Sequence, residues 1–233
     1  MLRFILSAFI FSLASIATAA STAASSFTAI YSLARNGIEL GQVTDNFHVT
    51  GDHYSLISES RATGILKLVL SGTIHLESHG TIANNALAPS LYRRIRSDDP
   101  KKSEKVEFDW KAKALTLTRN GQAKQEPLPA GTQDNLSQAY SFLFLPSLPE
   151  KVVVPIASAK NVVVYRYNQY PSPAITTAAG KFDVVEYRRD AVEGEKSVSV
   201  WISRDFPHLP VQVKVVDKGV RVEQKLTRIK PGG

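Results

Sequence analysis

Alternation of apolar and polar residues with a period of two runs through most of the chain. In one segment Val198, Val200 and Ile202 alternate with Ser199, Trp201 and Ser203. Similar alternation occupies residues 68–76, 106–110, 115–118, 211–215 and 220–223. Because successive side chains of a strand point to opposite faces of a sheet, this pattern predicts half-buried antiparallel strands. Their spacing is typical of a sandwich or barrel with roughly ten strands.

Three dipeptides between these segments predict tight β-hairpins. They are Asn36-Gly37, Asn120-Gly121 and Lys218-Gly219. Asn-Gly is the preferred pair in type I′ turns because both central residues need a positive φ. The hairpins support an antiparallel arrangement of the strands.

One segment in the middle of the chain has a helical period instead. Leu136, Tyr140 and Leu143 are spaced as one face of a helix, and Asp134 precedes them as a candidate N-cap. Pro146 and Pro149 prevent the helix from continuing. We therefore predict one short helix between two blocks of strands. The prolines and glycine at 127–131 could mark a domain boundary, but strands from both sides can join one sheet.

The N-terminus has the pattern of a secretory signal peptide. A short basic stretch ending at Arg3 precedes an apolar run over residues 4–16, and Ala17-Thr18-Ala19 forms an A-x-A cleavage site. The alternative is an uncleaved anchor, but a spanning helix needs roughly 20 apolar residues. We predict a signal peptide at 1–19, a disordered leader at 20–27 and a single β-rich domain at 28–230. The mature protein is then periplasmic, with no transmembrane segment.

Composition narrows the possible chemistry. The chain has no cysteine, which excludes disulfides, lipoprotein processing, thiolate metal sites and a cysteine nucleophile. Its 28 basic and 21 acidic residues give a formal net charge of +7, which suits contact with anions. Outside the cytoplasm those anions are headgroups, acidic glycans and metabolites, so nucleic acid is not an expected partner.

Three segments of the chain carry a resemblance to a known family. They are residues 131–137 with Tyr140, residues 177–182 running into Tyr187, and residues 201–203 followed by 208–211. Together they resemble the family named domain of unknown function 3108. The resemblance extends from about Ala29 to Ile229 and implies an exported, strand-rich protein without an established activity. By analogy it implies an open curved sheet or incomplete β-barrel around a helix, as in lipoprotein-carrier half-barrels.

The resemblance supplies no catalytic residues, and its matched positions have structural roles. Asp134 caps the helix, Gly180 turns a hairpin and Pro210 opens a strand. No cofactor follows from the resemblance or from any motif in the chain.

His75, Glu77 and His79 form an H-x-E-x-H pattern on a predicted strand. The two histidines lie roughly 13 Å apart along a strand, too far to bind one ion. The helical spacing of zinc proteases is absent from the sequence. We therefore expect these side chains to face solvent, and we expect no metal site.

A basic segment suggests one candidate contact with a ligand headgroup. Arg94 and Arg96 share a strand face with Tyr92, and guanidinium groups bind phosphate or carboxylate in bidentate fashion. Lys101, Lys102 and Lys105 follow. The alternative is a solvated strand whose cations discourage pairing at the sheet edge.

Aromatic residues concentrate around the predicted helix. Tyr140, Phe142, Leu143 and Phe144 lie in or just after it, residues 143–146 are unusually apolar, and three tyrosines follow at 165, 167 and 170. This segment either packs as ordinary core or covers an apolar groove. In the second case these four residues, with Arg94 and Arg96, are the candidate ligand contacts.

Three functions remain open, in this order. The first is a periplasmic, non-catalytic binding or carrier protein for a lipid or other apolar or amphipathic molecule. The second is an envelope assembly factor that contacts other proteins through strand edges. The third is a hydrolase with an unrecognised site, although the chain has no G-x-S-x-G nucleophile motif.

Overall fold

The computed structural model describes residues 26–63, 73–97, 99, 103–189, 196–205 and 207–232. The signal-peptide pattern, the strand pattern at 68–72 and the lysines at 101 and 102 lie outside these residues. The first strand begins at Phe27, the last residue of the predicted leader, and buries its side chain. Among the described residues, no helix is long and apolar enough to cross a membrane.

The N-terminal block contains nine strands among the described residues. They are β1 (Phe27–Arg35), β2 (Ile38–Thr50), β3 (His53–Ala62), β4 (Ile74–Ala83), β5 (Ala86–Arg96), β6 (Glu104–Asp109), β7 (Ala114–Arg119), β8 (Gln122–Pro127) and β9 (Gln133–Asp134). The helix α1 (Ser137–Tyr140) and a 3₁₀ turn (Ser141–Phe144) follow. Within the part of the chain that the structure describes, the predicted single short helix is confirmed.

Eight further described strands make up the C-terminal block. They are β10 (Lys151–Ala157), β11 (Val162–Pro171), β12 (Ile175–Thr177), β13 (Gly180–Phe182), β14 (Val184–Arg189), β15 (Ser197–Ser203), β16 (Pro210–Asp217) and β17 (Val220–Pro231). The described strands outnumber the roughly ten predicted ones, because several are short or lack regular alternation.

Fifteen of the described strands form one sheet, in the order β8-β7-β6-β5-β4-β3-β2-β1-β17-β16-β15-β14-β11-β10-β9. Neighbours are antiparallel except β9 and β10, which are parallel. Strands β1 and β17 pair from Phe27–Pro231 to Arg35–Val222, so the two blocks join in one continuous sheet. The end strands β8 and β9 do not pair with each other. The predicted open, mainly antiparallel sheet is therefore confirmed.

Local turn chemistry explains the hairpins. Asn36 and Gly37 have φ values of 49° and 83°, and the two other predicted dipeptides also have positive φ at both residues. A fourth turn of this kind, Asn84-Asn85, joins β4 to β5 with φ values of 52° and 58°. Asparagine tolerates this conformation better than most residues with a side chain, because its short polar group bonds locally.

The inner face of the N-terminal strands packs tightly around α1. Tyr31, Phe47, Leu56 and Tyr92 are all buried there, and Leu143 of the 3₁₀ turn is buried with them. Phe47 stacks on Tyr140 with ring centroids 6.2 Å apart. The helical segment therefore acts as core for this half of the sheet.

Candidate functional site

Asp134 fixes the helical segment inside the sheet. Its Oδ1 accepts hydrogen bonds from the backbone N–H groups of Leu136 and Ser137, each at 2.8 Å. Its Oδ2 accepts a 2.6 Å hydrogen bond from the Ser78 hydroxyl on β4, which also contacts the Tyr54 hydroxyl at 3.0 Å. Asp134 thus satisfies the first-turn N–H groups and ties the turn to the sheet.

A second buried chain of hydrogen bonds ties the other end of α1 to the sheet. The Tyr140 hydroxyl donates to Asp45 Oδ2 at 2.6 Å, and it lies 3.2 Å from the Tyr31 hydroxyl. Tyr31 donates to the backbone carbonyl of Pro210 at 3.0 Å. Strands β1, β2 and β16 therefore meet the helix at one polar point.

A cavity of about 390 Å³ extends from this polar point along the inner face of the C-terminal strands. Aliphatic and aromatic side chains from β10, β11, β14, β15 and β16 form its wall. They are Val152, Val154, Tyr165, Tyr167, Tyr187, Val198, Val200, Val213 and Val215. Such a wall, with a few polar groups at defined points, is typical of a binding site for an apolar ligand.

The cavity exists because the helical segment is too short to cover the whole sheet. The segment fills the N-terminal half, and in the C-terminal half it contributes Phe142, whose ring lies 4.8 Å from the Tyr187 ring. Inward-facing valines such as Val154, Val198 and Val213 are consequently only half-buried. Exposed apolar surface inside a fold favours a bound apolar group, since burying it is worth roughly 25 cal/mol per Å².

Charged groups lie at both ends of the cavity. Asp45 lies beside Tyr140 and Tyr31, and Tyr31 contacts Pro210 at the start of β16. Arg189 ends β14, and Lys196 directly precedes Ser197 of β15, which pairs with Val216 near the other end of β16. The Arg189 guanidinium lies 4.4 Å from the Tyr165 ring centroid and donates to the Lys196 carbonyl. Lys196 Nζ lies 3.2 Å from Asp217 Oδ2. The cavity is therefore apolar in its middle and polar at its two ends.

The structure brings together some of the predicted ligand contacts and separates others. Tyr140 and Phe142 line the cavity. Leu143 is fully buried in the core, and Phe144 packs against Phe47 at 6.1 Å.

The predicted headgroup arginines do not line the cavity. Arg94 and Arg96 lie on β5 in the N-terminal half, where Arg94 Nη1 is 3.6 Å from Glu104 Oε2. The cations at the cavity are Arg189 and Lys196 instead. Alternation along β14 places Arg189 on the same face as Val185 and Tyr187, which is the sequence signal that could have identified it.

The three positions with predicted structural roles lie where turns and strands begin. Asp134 caps the first turn as described, although the residue directly before α1 is Leu136. Gly180 has a φ of 135° and follows the turn between β12 and β13. Pro210 is the first residue of β16, and its carbonyl accepts from Tyr31.

The H-x-E-x-H residues form an ion-paired row on the half-exposed outer face of β4. His75 Nε2 lies 2.9 Å from Glu77 Oε1, and His75 Nδ1 lies 3.4 Å from Glu59 Oε1. His79 and Arg93 each have a nitrogen 3.8 Å from Glu77 Oε2. Over the described ranges, no group of three His, Asp or Glu side chains is arranged to hold a metal ion.

Burial changes the acid-base behaviour of the carboxylates at the helix. Desolvation raises the pKa of Asp45 to about 6, and this rise is partly offset by the Tyr140 hydrogen bond and the neighbouring Ser58 hydroxyl. Desolvation also raises the pKa of Asp134. Folding therefore favours the protonated form of each group.

Replacing Asp45 with Asn is expected to change the pH dependence of stability. Because the folded pKa of Asp45 exceeds its unfolded value, its ionisation opposes folding above about pH 6 and has no such cost below about pH 4. Urea unfolding should show Asp45→Asn gaining about 3 kcal/mol relative to wild type between those two pH values. A difference independent of pH would contradict the raised pKa.

A family model described as "Protein of unknown function (DUF3108)" matches residues 26–225. This match confirms the resemblance seen in the three sequence segments. No curated protein matches the chain.

Solved structures show similarity at the level of the fold. A beta-barrel-like protein of domain of unknown function DUF1849 from Brucella abortus is 9% identical, with a TM-score of 0.60. The alignment covers 90% of this chain and 98% of that one. This similarity agrees with the curved, barrel-like sheet and carries no information about function.

Two further structures align over most of the chain with a TM-score of 0.34 and 11% identity. One is a lipoprotein candidate from Parabacteroides distasonis, and the other is an exported-protein candidate with a YmcC-like fold from Bacteroides fragilis. Each alignment covers 88% of this chain and 95% of the other. At that TM-score they support no conclusion about this chain.

Proposed function

We propose that this chain, which belongs to the DUF3108 family of proteins of unknown function, is a non-catalytic binding or carrier protein for an apolar or amphipathic molecule. The observation that carries the proposal is a set of inward-facing wall residues that remain only half-buried, namely Val152, Val154, Tyr165, Val198, Val213 and Val215. Side chains in this position gain free energy when an apolar group covers them.

The polar ends of the cavity support an amphipathic ligand over a purely apolar one. Asp45 at one end and Arg189 at the other are both buried charged side chains. Polar groups placed at defined points of an apolar cavity orient a ligand and restrict which ligands fit.

The hydrogen bonding of Asp45 and Asp134 supports binding without catalysis. The hydrogen bonds to Asp45 and Asp134 come from tyrosine and serine hydroxyls and from backbone N–H groups. These contacts hold the helical segment in place and do not activate a nucleophile through a histidine.

We place this function in the periplasm. The proposal rests on the signal-peptide pattern of residues 1–19. An amphipathic molecule that crosses an aqueous compartment needs its apolar part shielded from water, which a cavity of this kind provides.

Binding of an apolar fluorescent probe tests the proposal. N-phenyl-1-naphthylamine, whose emission rises in apolar surroundings, is titrated into protein purified without detergent. We expect a saturable rise in emission with one probe bound per chain, since the wall residues line one cavity. The absence of saturable binding to the folded protein would overturn the proposed function.

A further inference from the structure

We infer that Oδ1 of Asp45, at its end of the cavity, accepts a hydrogen bond from a donor group of the ligand. This donor is a hydroxyl or an ammonium group. This inference deepens the proposed function and rests on it, because it names the polar group of the same amphipathic ligand. The alternative is a ligand whose head group is an acceptor, such as a carboxylate, and binds at the Arg189 end of the cavity.

Asp45 Oδ1 is a buried acceptor that lacks a partner. The Asp45 side chain lies on the inner face of β2 and lines the cavity, and the residue is 5% exposed. Oδ2 accepts from Tyr140, whereas Oδ1 has no hydrogen-bond partner among the described residues. A buried acceptor left unpaired costs about 1–3 kcal/mol, which a donor on the ligand recovers.

The two neighbouring tyrosine hydroxyls cannot supply that donor. Each tyrosine hydroxyl has a single proton. The Tyr140 proton is engaged by Asp45 Oδ2, and the Tyr31 proton is engaged by the Pro210 carbonyl. The Ser58 hydroxyl also interacts with the Asp45 carboxyl group and lowers its pKa, but it makes no aligned hydrogen bond to Oδ1. This end of the cavity therefore offers acceptors, and a donor on the ligand is its chemical complement.

The protonation state of Asp45 provides an independent readout. The groups that face Asp45 are Tyr140 from α1, Tyr31 from β1 and Ser58 from β3. Burial raises the pKa of Asp45 to about 6. A donor favours the ionised carboxylate, so an ammonium ligand should bind about tenfold more tightly at pH 7.5 than at pH 5.

Displacement of the naphthylamine probe by three ten-carbon amphiphiles tests the inference. Decylammonium, decanol and decanoate share one chain and differ in the head group. At pH 7.5 we expect decylammonium and decanol to displace the probe at concentrations about tenfold or more below that of decanoate. Asp45→Asn should abolish the advantage of decylammonium and its pH dependence, and this variant removes a buried charge, so it should remain folded.

Two outcomes would overturn the inference while leaving the proposed function intact. One is equal displacement by all three amphiphiles. The other is preferential displacement by decanoate that is lost in Arg189→Gln, which would place the head group at the opposite end. Failure of the probe itself to bind would instead contradict the proposed function.

Discussion

Replacing Asp134 with Ala is expected to lower the free energy of unfolding by about 3 kcal/mol, as measured by urea denaturation. The substitution leaves the N–H groups of Leu136 and Ser137 and the hydroxyl of Ser78 without their acceptor inside the fold. Part of this loss is offset because the variant no longer buries a carboxylate, whose pKa is raised by desolvation.

Two control variants separate this effect from the loss of any aspartate. Asp134→Asn keeps an acceptor for the two N–H groups, so its free energy of unfolding should be close to that of wild type. Asp109→Ala removes an aspartate that accepts from Ala112 N at 2.7 Å in an exposed turn, and it should cost below about 1 kcal/mol. If Asp134→Ala lost no more free energy of unfolding than Asp109→Ala, this would contradict the role of Asp134 as the anchor of the helical segment.

The second large effect is expected from filling the cavity. In Val154→Trp we expect the indole to enter the cavity, because Val154 faces inward on β10 and lines the cavity. We expect the affinity for N-phenyl-1-naphthylamine to fall about tenfold or more, while the free energy of unfolding changes little. Fluorescence titration at matched protein concentration measures the first quantity, and urea unfolding measures the second.

The neighbouring residue provides the matched control. Val153 lies on the outer face of the same strand and is 63% exposed, opposite Arg166 of β11. Val153→Trp therefore adds the same side chain outside the cavity and should bind the probe as wild type does. Equal loss of affinity in both variants would show that the probe binds elsewhere or that tryptophan disturbs β10 itself.

Features set by neighbours in sequence were predictable. Asn36-Gly37 specifies a hairpin through the φ values of two adjacent residues. Asp134 and the stripe of Leu136, Tyr140 and Leu143 specify a helical segment through contacts within one or two turns. Alternation likewise predicted which side chains share a face of each strand, since that depends only on the pleat.

The composition of the site was not predictable, because it depends on the order of strands in the sheet. Alternation placed Arg94 beside Tyr92, but no local signal indicates that β5 lies in the half of the sheet that α1 fills. Asp45 and Arg189 are about 140 residues apart in sequence and reach one cavity only because β1 pairs with β17.

The cavity arises because the inner face of the sheet is larger than the helical segment that covers it. No sequence pattern indicates this difference in size. Fifteen described strands present one long inner face, whereas α1 and the 3₁₀ turn together supply eight residues to cover it. The sequence pattern of an apolar strand face is the same whether a helix, another sheet or a ligand covers that face. The sequence pattern therefore does not distinguish the half-exposed valines of β15 and β16 from valines that a helix covers.

Photolabelling with an alkyl chain that carries a diazirine tests the central claim most directly, because it reports where an apolar ligand sits. After irradiation and proteolysis, we expect mass spectrometry to locate the label on inward-facing residues of the cavity, such as Val154, Val200 and Val213. Labelling of these peptides should fall in Val154→Trp and persist in Val153→Trp. Label confined to outward-facing residues such as Val153 and Val164 would contradict a ligand-binding cavity inside the sheet.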